Sequence, residues 1–176
     1  MTSQDAVNIV KRNLGISKVG HAGTLDPLAT GLLVVLVGDA TKISQYLLEE
    51  EKGYTAEVCI GLRTDTWDLE GKITERKDID SQIINEKVID DLLESMEGDI
   101  TLPVPMHSAI KVSGRKLYDI VRDGEEIAVP DREYYIYKLK RCSDLKYEMI
   151  DNTLVCKFSI DCLVSKGTYI RSLCKV

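Results

Sequence analysis

A single carboxylate stands in the segment Gly20-His21-Ala22-Gly23-Thr24-Leu25-Asp26-Pro27-Leu28-Ala29-Thr30-Gly31. Glycines and a proline in so short a stretch give an irregular backbone that can approach another molecule closely. The apolar run Leu32-Leu33-Val34-Val35-Leu36-Val37 follows at once. It predicts a fully buried strand bracketed by Gly31 and Gly38, with Asp26 at its lip. An acid held there is placed for chemistry rather than for solubility, and an ionised carboxylate can act as a nucleophile. By itself an aspartate before proline reads more simply as a turn residue.

Length and composition narrow the field. The 176 residues suffice for one domain with a real core. At 44% hydrophobic and 30% charged the composition is that of an ordinary soluble globular protein. The longest apolar run is far too short to span a membrane, and the polar N-terminus does not read as a signal peptide, so a cytoplasmic location is expected. The five cysteines, Cys59, Cys142, Cys156, Cys162 and Cys174, include no C-x-x-C pair. With only two histidines beside them they read as reduced core thiols, not a zinc site.

The net charge of −6 argues against a phosphate-binding surface taken as a whole, because such contacts need Lys and Arg. Local groups can override the sum. Lys11, Arg12, Lys18 and His21 precede Asp26; Lys111, Arg115, Lys116 and Arg122 form a second group; Lys166 and Arg171 form a third. Each alone reads as solvated surface.

The elements that must hold these residues follow from pattern. Thr2-Ser3-Gln4-Asp5 is a capping box, and Val7, Val10 and Leu14 continue it as a helix ended by Gly15. Residues 41–48 predict a short helix with Ile43, Tyr46 and Leu47 on one face. Tyr54, Ala56, Val58 and Ile60 alternate as a half-buried strand. Residues 85–96 are the clearest helix, with Gly98 as its stop. Residues 108–112 predict a strand, Ser113-Gly114 a turn and 116–122 a helix closed by Gly124. Residues 134–145 and 153–164 predict strands about a hairpin at Asp151-Asn152. The closing segment from Tyr169 predicts a helix with Ile170, Leu173 and Val176 on its apolar face. The sum is an α+β domain with a mixed or largely antiparallel sheet and flanking helices.

Four ordered motifs make the chain resemble the TruB-type tRNA pseudouridine synthases. The segment around Asp26 matches that family's G-H-x-G-x-L-D-P-x-A-x-G motif. Arg63-Thr64-Asp65-Thr66-Trp67-Asp68-Leu69-Glu70-Gly71 matches T-D-T-x-D-x-x-G. Residues 108–118 match S-A-x-K-x-x-G-x-x-L-Y, and Ser165-Lys166-Gly167-Thr168-Tyr169-Ile170-Arg171 matches S-K-G-T-Y-I-R. Together they span nearly the whole chain and are far more specific than any one alone.

The resemblance implies the pseudouridine synthase fold and the isomerisation of a T-loop uridine in tRNA. Asp26 would be the catalytic residue, adding to C6 of the base or attacking or stabilising C1′ of the ribose. Arg171 would pair with Asp26 and keep it ionised. Tyr54 would stack on the target base, and Tyr169 would pack in the site. His21 would hold flipped-out nucleotides, while Lys18, Lys111, Arg115 and Lys166 would rim the cleft. His107 would be at best a substrate-side loop residue. The chemistry calls for neither metal nor redox cofactor. The uridine must be extruded, which costs least in a loop.

The resemblance also implies segments that this sequence lacks: an upstream strand with a Lys-Pro pair, residues after the Y-I-R helix, and a C-terminal PUA domain. Residues 1–176 are therefore expected to be part of a catalytic domain, with uncovered edges open to self-association and no obligate protein partner. A catalytically impaired RNA-binding fragment is the competing reading. An aspartyl-phosphate phosphotransferase ranks last, because no second acid follows Asp26 to hold magnesium.

Overall fold

A computed structural model describes residues 1–108, 110–112, 114–125 and 127–175, with the backbone alone for Lys111. The chain divides into two compact units, Met1–Glu50 and Glu51–Val176.

The first unit opens with helix α1, Ser3–Leu14. Its start is the predicted capping box: the Thr2 hydroxyl accepts from the Asp5 N–H, and the Asp5 carboxylate accepts from the Thr2 N–H at 2.8 Å. Gly15 ends it at φ 64°, a left-handed conformation that suits glycine. Two short strands follow, β1 (Val19–His21) and β2 (Val35–Val37), paired antiparallel with Val19 opposite Val37. The predicted buried strand between Gly31 and Gly38 is thus cut to three residues. Only Leu36 is buried, while Leu32 is 86% exposed. The reason is partnership: β1 offers three residues, and a fully buried strand needs neighbours on both edges. The helix expected over 41–48 begins earlier, as a 3-10 turn (Gly38–Ile43) running into α2 (Ser44–Glu49). Ile43 and Tyr46 are exposed, so the expected apolar face is not buried.

The second unit is built on one antiparallel sheet. Its strands are β3 (Lys52–Ile60), β6 (Gly98–Pro103), β9 (Asp131–Arg141), β10 (Lys146–Ile150) and β11 (Thr153–Val164). Strand β11 is the spine. It pairs with β3 from Cys156 to Val164, with β10 from Thr153 to Lys157, and with β9 from Ile160 to Val164. Strand β9 passes on to β6, with Ile136 opposite both Val164 and Gly98. Phe158, Ile160, Cys162 and Val164 alternate inward along β11 and are buried.

Helix α3, Glu86–Ser95, covers that face with Ile89 and Leu93. Burying a side chain of this size contributes about 1.5–3 kcal/mol, so two such anchors fix the helix on the sheet. The Asn85 side chain caps its first turn by accepting from the Val88 N–H. The hairpin at Asp151-Asn152 forms as expected, with φ of 47° and 64°, the two positive values of a type I′ turn. Its first arm is β10, a strand separate from β9; the strand expected over 134–145 ends at Arg141 instead.

The smaller elements carry the motifs. Strands β4 (Leu62–Thr64) and β5 (Ile73–Arg76) pair antiparallel and enclose the T-D-T-W-D loop. The strand expected over 108–112 is only β7, Lys111–Val112, which pairs with β8, Arg115–Lys116. Ala109 and Ser113, part of that expectation, lie outside the described residues. Helix α4, Leu117–Arg122, follows, and Gly124 closes it at φ 78°. Helix α5 is a single turn, Ile170–Leu173, with Leu173 buried in the sheet core. Val176 lies outside the described residues. No described helix is long and apolar enough to cross a membrane.

Candidate active site

Asp26 sits half-buried in the loop joining β1 to β2. The Ala22 N–H donates to the Val34 carbonyl at 2.9 Å and closes the base of that loop. The Ala29 N–H donates to the Asp26 carbonyl at 2.9 Å, so the residues 26–29 form a tight turn at Pro27. A second clamp comes from α1. The buried Ser3 hydroxyl accepts from the Leu25 N–H at 3.0 Å and reaches the Leu25 carbonyl at 3.4 Å. The backbone just before the carboxylate is therefore tied to the first turn of a capped helix.

His21 ends β1, opposite Val35. Its Nδ1 is buried, and among the described residues it has no hydrogen-bond partner. Such an atom costs stability where it is left unmet, and it is the kind of group that takes up a ligand or a water.

The second unit assembles another group. Arg171, on α5, has a largely buried side chain. Its Nη1 donates to the Thr66 carbonyl at 3.1 Å, and its Nη2 donates to the His107 carbonyl at 3.3 Å. Nη1 also lies 3.8 Å from Asp68 Oδ2, a carboxylate that is itself mostly buried. The rest of Asp68 is spent on its own loop: Oδ1 accepts from the Thr66 hydroxyl at 2.6 Å and from the Glu70 N–H at 3.0 Å. Gly71 closes this loop where the Thr66 side chain and Asp65 leave no room for a Cβ.

Two of the four motifs, and the residue just before a third, thus meet around Arg171. Thr66 and Asp68 come from the T-D-T-W-D loop, His107 from the segment leading into S-A-x-K, and Arg171 from S-K-G-T-Y-I-R. Sequence reading missed Asp68 as a partner of Arg171, although it quoted the motif that contains it. It also missed Ser3, seen only as part of a helix cap. His107 contributes its carbonyl here.

Tyr54 lies on β3 opposite Cys162 and packs at the edge of the sheet core. Tyr169 precedes α5 and packs on the same core. Burial pushes the neighbouring Tyr134 phenol above its usual range, and Tyr169 adds to that shift. Burial raises the thiol of Cys174, the C-cap of α5, to about 12 and that of Cys162 on β11 to about 11.

The expected basic rim is partly engaged by acids. Lys18 pairs with Asp39 at 2.9 Å. Arg115 is held by Asp123 at 2.6 Å and Glu125 at 2.7 Å. All of these groups are substantially exposed, and pairs of this kind are worth only about 0–1 kcal/mol, so they exchange readily for phosphate. Lys166 is exposed in the turn after β11, where Gly167 adopts φ 72°. The Lys111 side chain lies outside the described residues. Among the described residues no cluster of His, Cys, Asp and Glu could hold a metal ion.

Comparison with known proteins agrees with the motifs. Residues 11–170 match the family model described as TruB family pseudouridylate synthase (N terminal domain). Proteins named tRNA pseudouridine synthase B are similar along almost the whole chain. That of Streptococcus sanguinis is 43% identical over 173 residues, covering 98% of this chain and 58% of its own length. That of Alkaliphilus oremlandii is 42% identical over 177 residues, covering 99% and 54%. The chain thus spans little more than half the length of these relatives. Among solved structures, a chain of a Cbf5-Nop10-Gar1 complex aligns with a TM-score of 0.57 at 26% identity, over 99% of this chain and 39% of that one. A chain of an H/ACA RNP bound to a substrate RNA containing 2'-deoxyuridine shares the fold, with a TM-score of 0.55 at 24% identity over 99% and 37%.

Proposed function

Because the chain belongs to the TruB family of pseudouridylate synthases, we propose that it carries the catalytic aspartate and arginine for converting the T-loop uridine of tRNA to pseudouridine. The observation that carries this reading is the Asp26 loop. A lone carboxylate in the G-H-x-G-x-L-D-P segment stands on a backbone clamped by Ser3, in a chain whose relatives are named for this activity.

The reaction is an internal exchange. The N1–C1′ bond breaks, the base turns, C5 bonds to C1′, the C5 proton leaves to solvent and N1 gains a proton. No electrons are gained or lost, so the protein need supply only an anionic oxygen, orientation and a dry pocket. Asp26 supplies the oxygen, at C6 of the base or at C1′. Arg171 supplies fixed positive charge, and Tyr54 and Tyr169 supply aromatic faces for the extruded base. His21 offers its buried Nδ1 to a nucleotide group. Lys18, Lys111, Arg115 and Lys166 meet the phosphates of the T-arm. The reaction then belongs to the cytoplasm.

The test is tritium release from C5-labelled uridine in an unmodified T-arm. The chain is expected to release tritium, and Asp26→Asn to abolish release while RNA binding persists. Binding without release by the unaltered chain would make it an RNA-binding module instead.

A further inference from the structure

The T-D-T-W-D loop holds the protein's only tryptophan in a conformation that its side chain disfavours. Trp67 has φ 63°, in the left-handed region that bulky residues seldom enter. Such outliers persist only where their surroundings enforce them. Within the loop, the Trp67 N–H donates to the Thr64 carbonyl at 3.4 Å. The Lys175 ammonium lies 3.9 Å from the centroid of the Trp67 ring, a close cation–π contact.

The two residues flanking Trp67 are among those that hold Arg171. Thr66 gives its carbonyl to Nη1, and Asp68 places its carboxylate beside the same atom. Arg171 and Lys175 are four residues apart, on one face of a helical turn that the Lys175 N–H to Ser172 carbonyl bond extends past α5. Three consecutive loop residues are therefore engaged by two cations one turn apart. Arg171 takes the outer two, and Lys175 takes the ring between them. The Trp67 indole meets Lys175 while its two neighbours meet the guanidinium.

We propose that Trp67 and Lys175 are positioning residues, a clasp that holds the T-D-T-W-D loop against α5 and so fixes the Arg171 guanidinium for the reaction. This rests on the reading in which Arg171 serves uridine isomerisation. Neither residue touches the reacting atoms. Their contribution is to keep Arg171 in one orientation, which matters because small misplacements of a fixed charge cost rate.

The test compares Lys175→Met, which keeps the stem and removes the charge, with Lys175→Arg, which keeps the charge. On a T-arm substrate, Lys175→Met is expected to lower kcat by about three- to tenfold with KM nearly unchanged. Lys175→Arg is expected to restore most of the loss, and Trp67→Phe to retain more activity than Trp67→Leu. Equal kcat for Lys175→Met and the unaltered protein overturns the clasp. A second readout is independent of turnover: exchange of the Arg171 Nε proton, followed by NMR, should quicken in Lys175→Met and slow again in Lys175→Arg. If the unaltered chain releases no tritium, the assigned reaction falls, and proton exchange alone judges the clasp. Identical exchange in all three proteins overturns it.

Discussion

The hydroxyl of Ser3 brackets Leu25, the residue before Asp26, accepting from its N–H at 3.0 Å and reaching its carbonyl at 3.4 Å. The two are 22 positions apart in the chain. A buried serine at a helix start thus sets the backbone from which the candidate nucleophile projects.

Ser3→Ala should therefore act on both stability and rate. Leu25 would lose its side-chain partner in a half-buried place, a cost of about 1–3 kcal/mol. Thermal unfolding is expected to show that loss, and tritium release a fall in kcat. Ser3→Thr, which keeps a hydroxyl, should recover part of both. Unchanged unfolding in Ser3→Ala would show the clamp to be idle.

Arg171 answers to Asp68 in the same way. Asp68→Asn keeps the shape and the Oδ1 bonds but removes the charge 3.8 Å from the guanidinium. A mostly buried cation left without it is expected to cost about 1–3 kcal/mol and to lower kcat more than Asp65→Asn. Asp65 is exposed, with its carboxylate on the Lys72 N–H. Equal kcat in the two variants would remove Asp68 from the account.

The acids around Arg115 give a salt-dependence experiment. Asp123→Asn with Glu125→Gln frees a cation now held by two carboxylates. T-arm affinity is expected to rise and the dependence of log affinity on log salt to steepen, since one more phosphate contact releases about one more counterion. An unchanged slope would place Arg115 off the RNA path.

The two buried thiols predict behaviour at high pH. Cys162 and Cys174 titrate near 11 and 12 in the folded protein, against an ordinary value of 9.0. The native state thus keeps protons that the unfolded chain gives up, and stability falls as pH rises from about 9 toward 11. Cys174→Ala is expected to flatten that fall in chemical denaturation between pH 8.5 and 10.5, roughly the window in which only the unfolded thiol ionises. An equally steep decline in the variant would assign it to other groups.

What the sequence by itself determined was local or motif-bound. The Thr2–Asp5 box, the Gly15 stop, the helix over 85–96 and the Asp151-Asn152 turn depend on neighbours a few residues apart, so pattern was enough for them. The family was equally legible, because four ordered motifs carry it. Apolar content could not reveal partnership. The run from Leu32 to Val37 reads as a buried strand, yet it forms only where β1 supplies an edge. Nor could it part β9 from β10, whose break depends on both strands sharing one edge of β11. The pairings of Ser3 with Leu25, Arg171 with Asp68 and Lys175 with Trp67 join side chains to groups far along the chain. Such contacts exist only once burial has excluded water and made an unmet charge or polar group costly. That condition belongs to the tertiary structure, and no stretch of sequence states it.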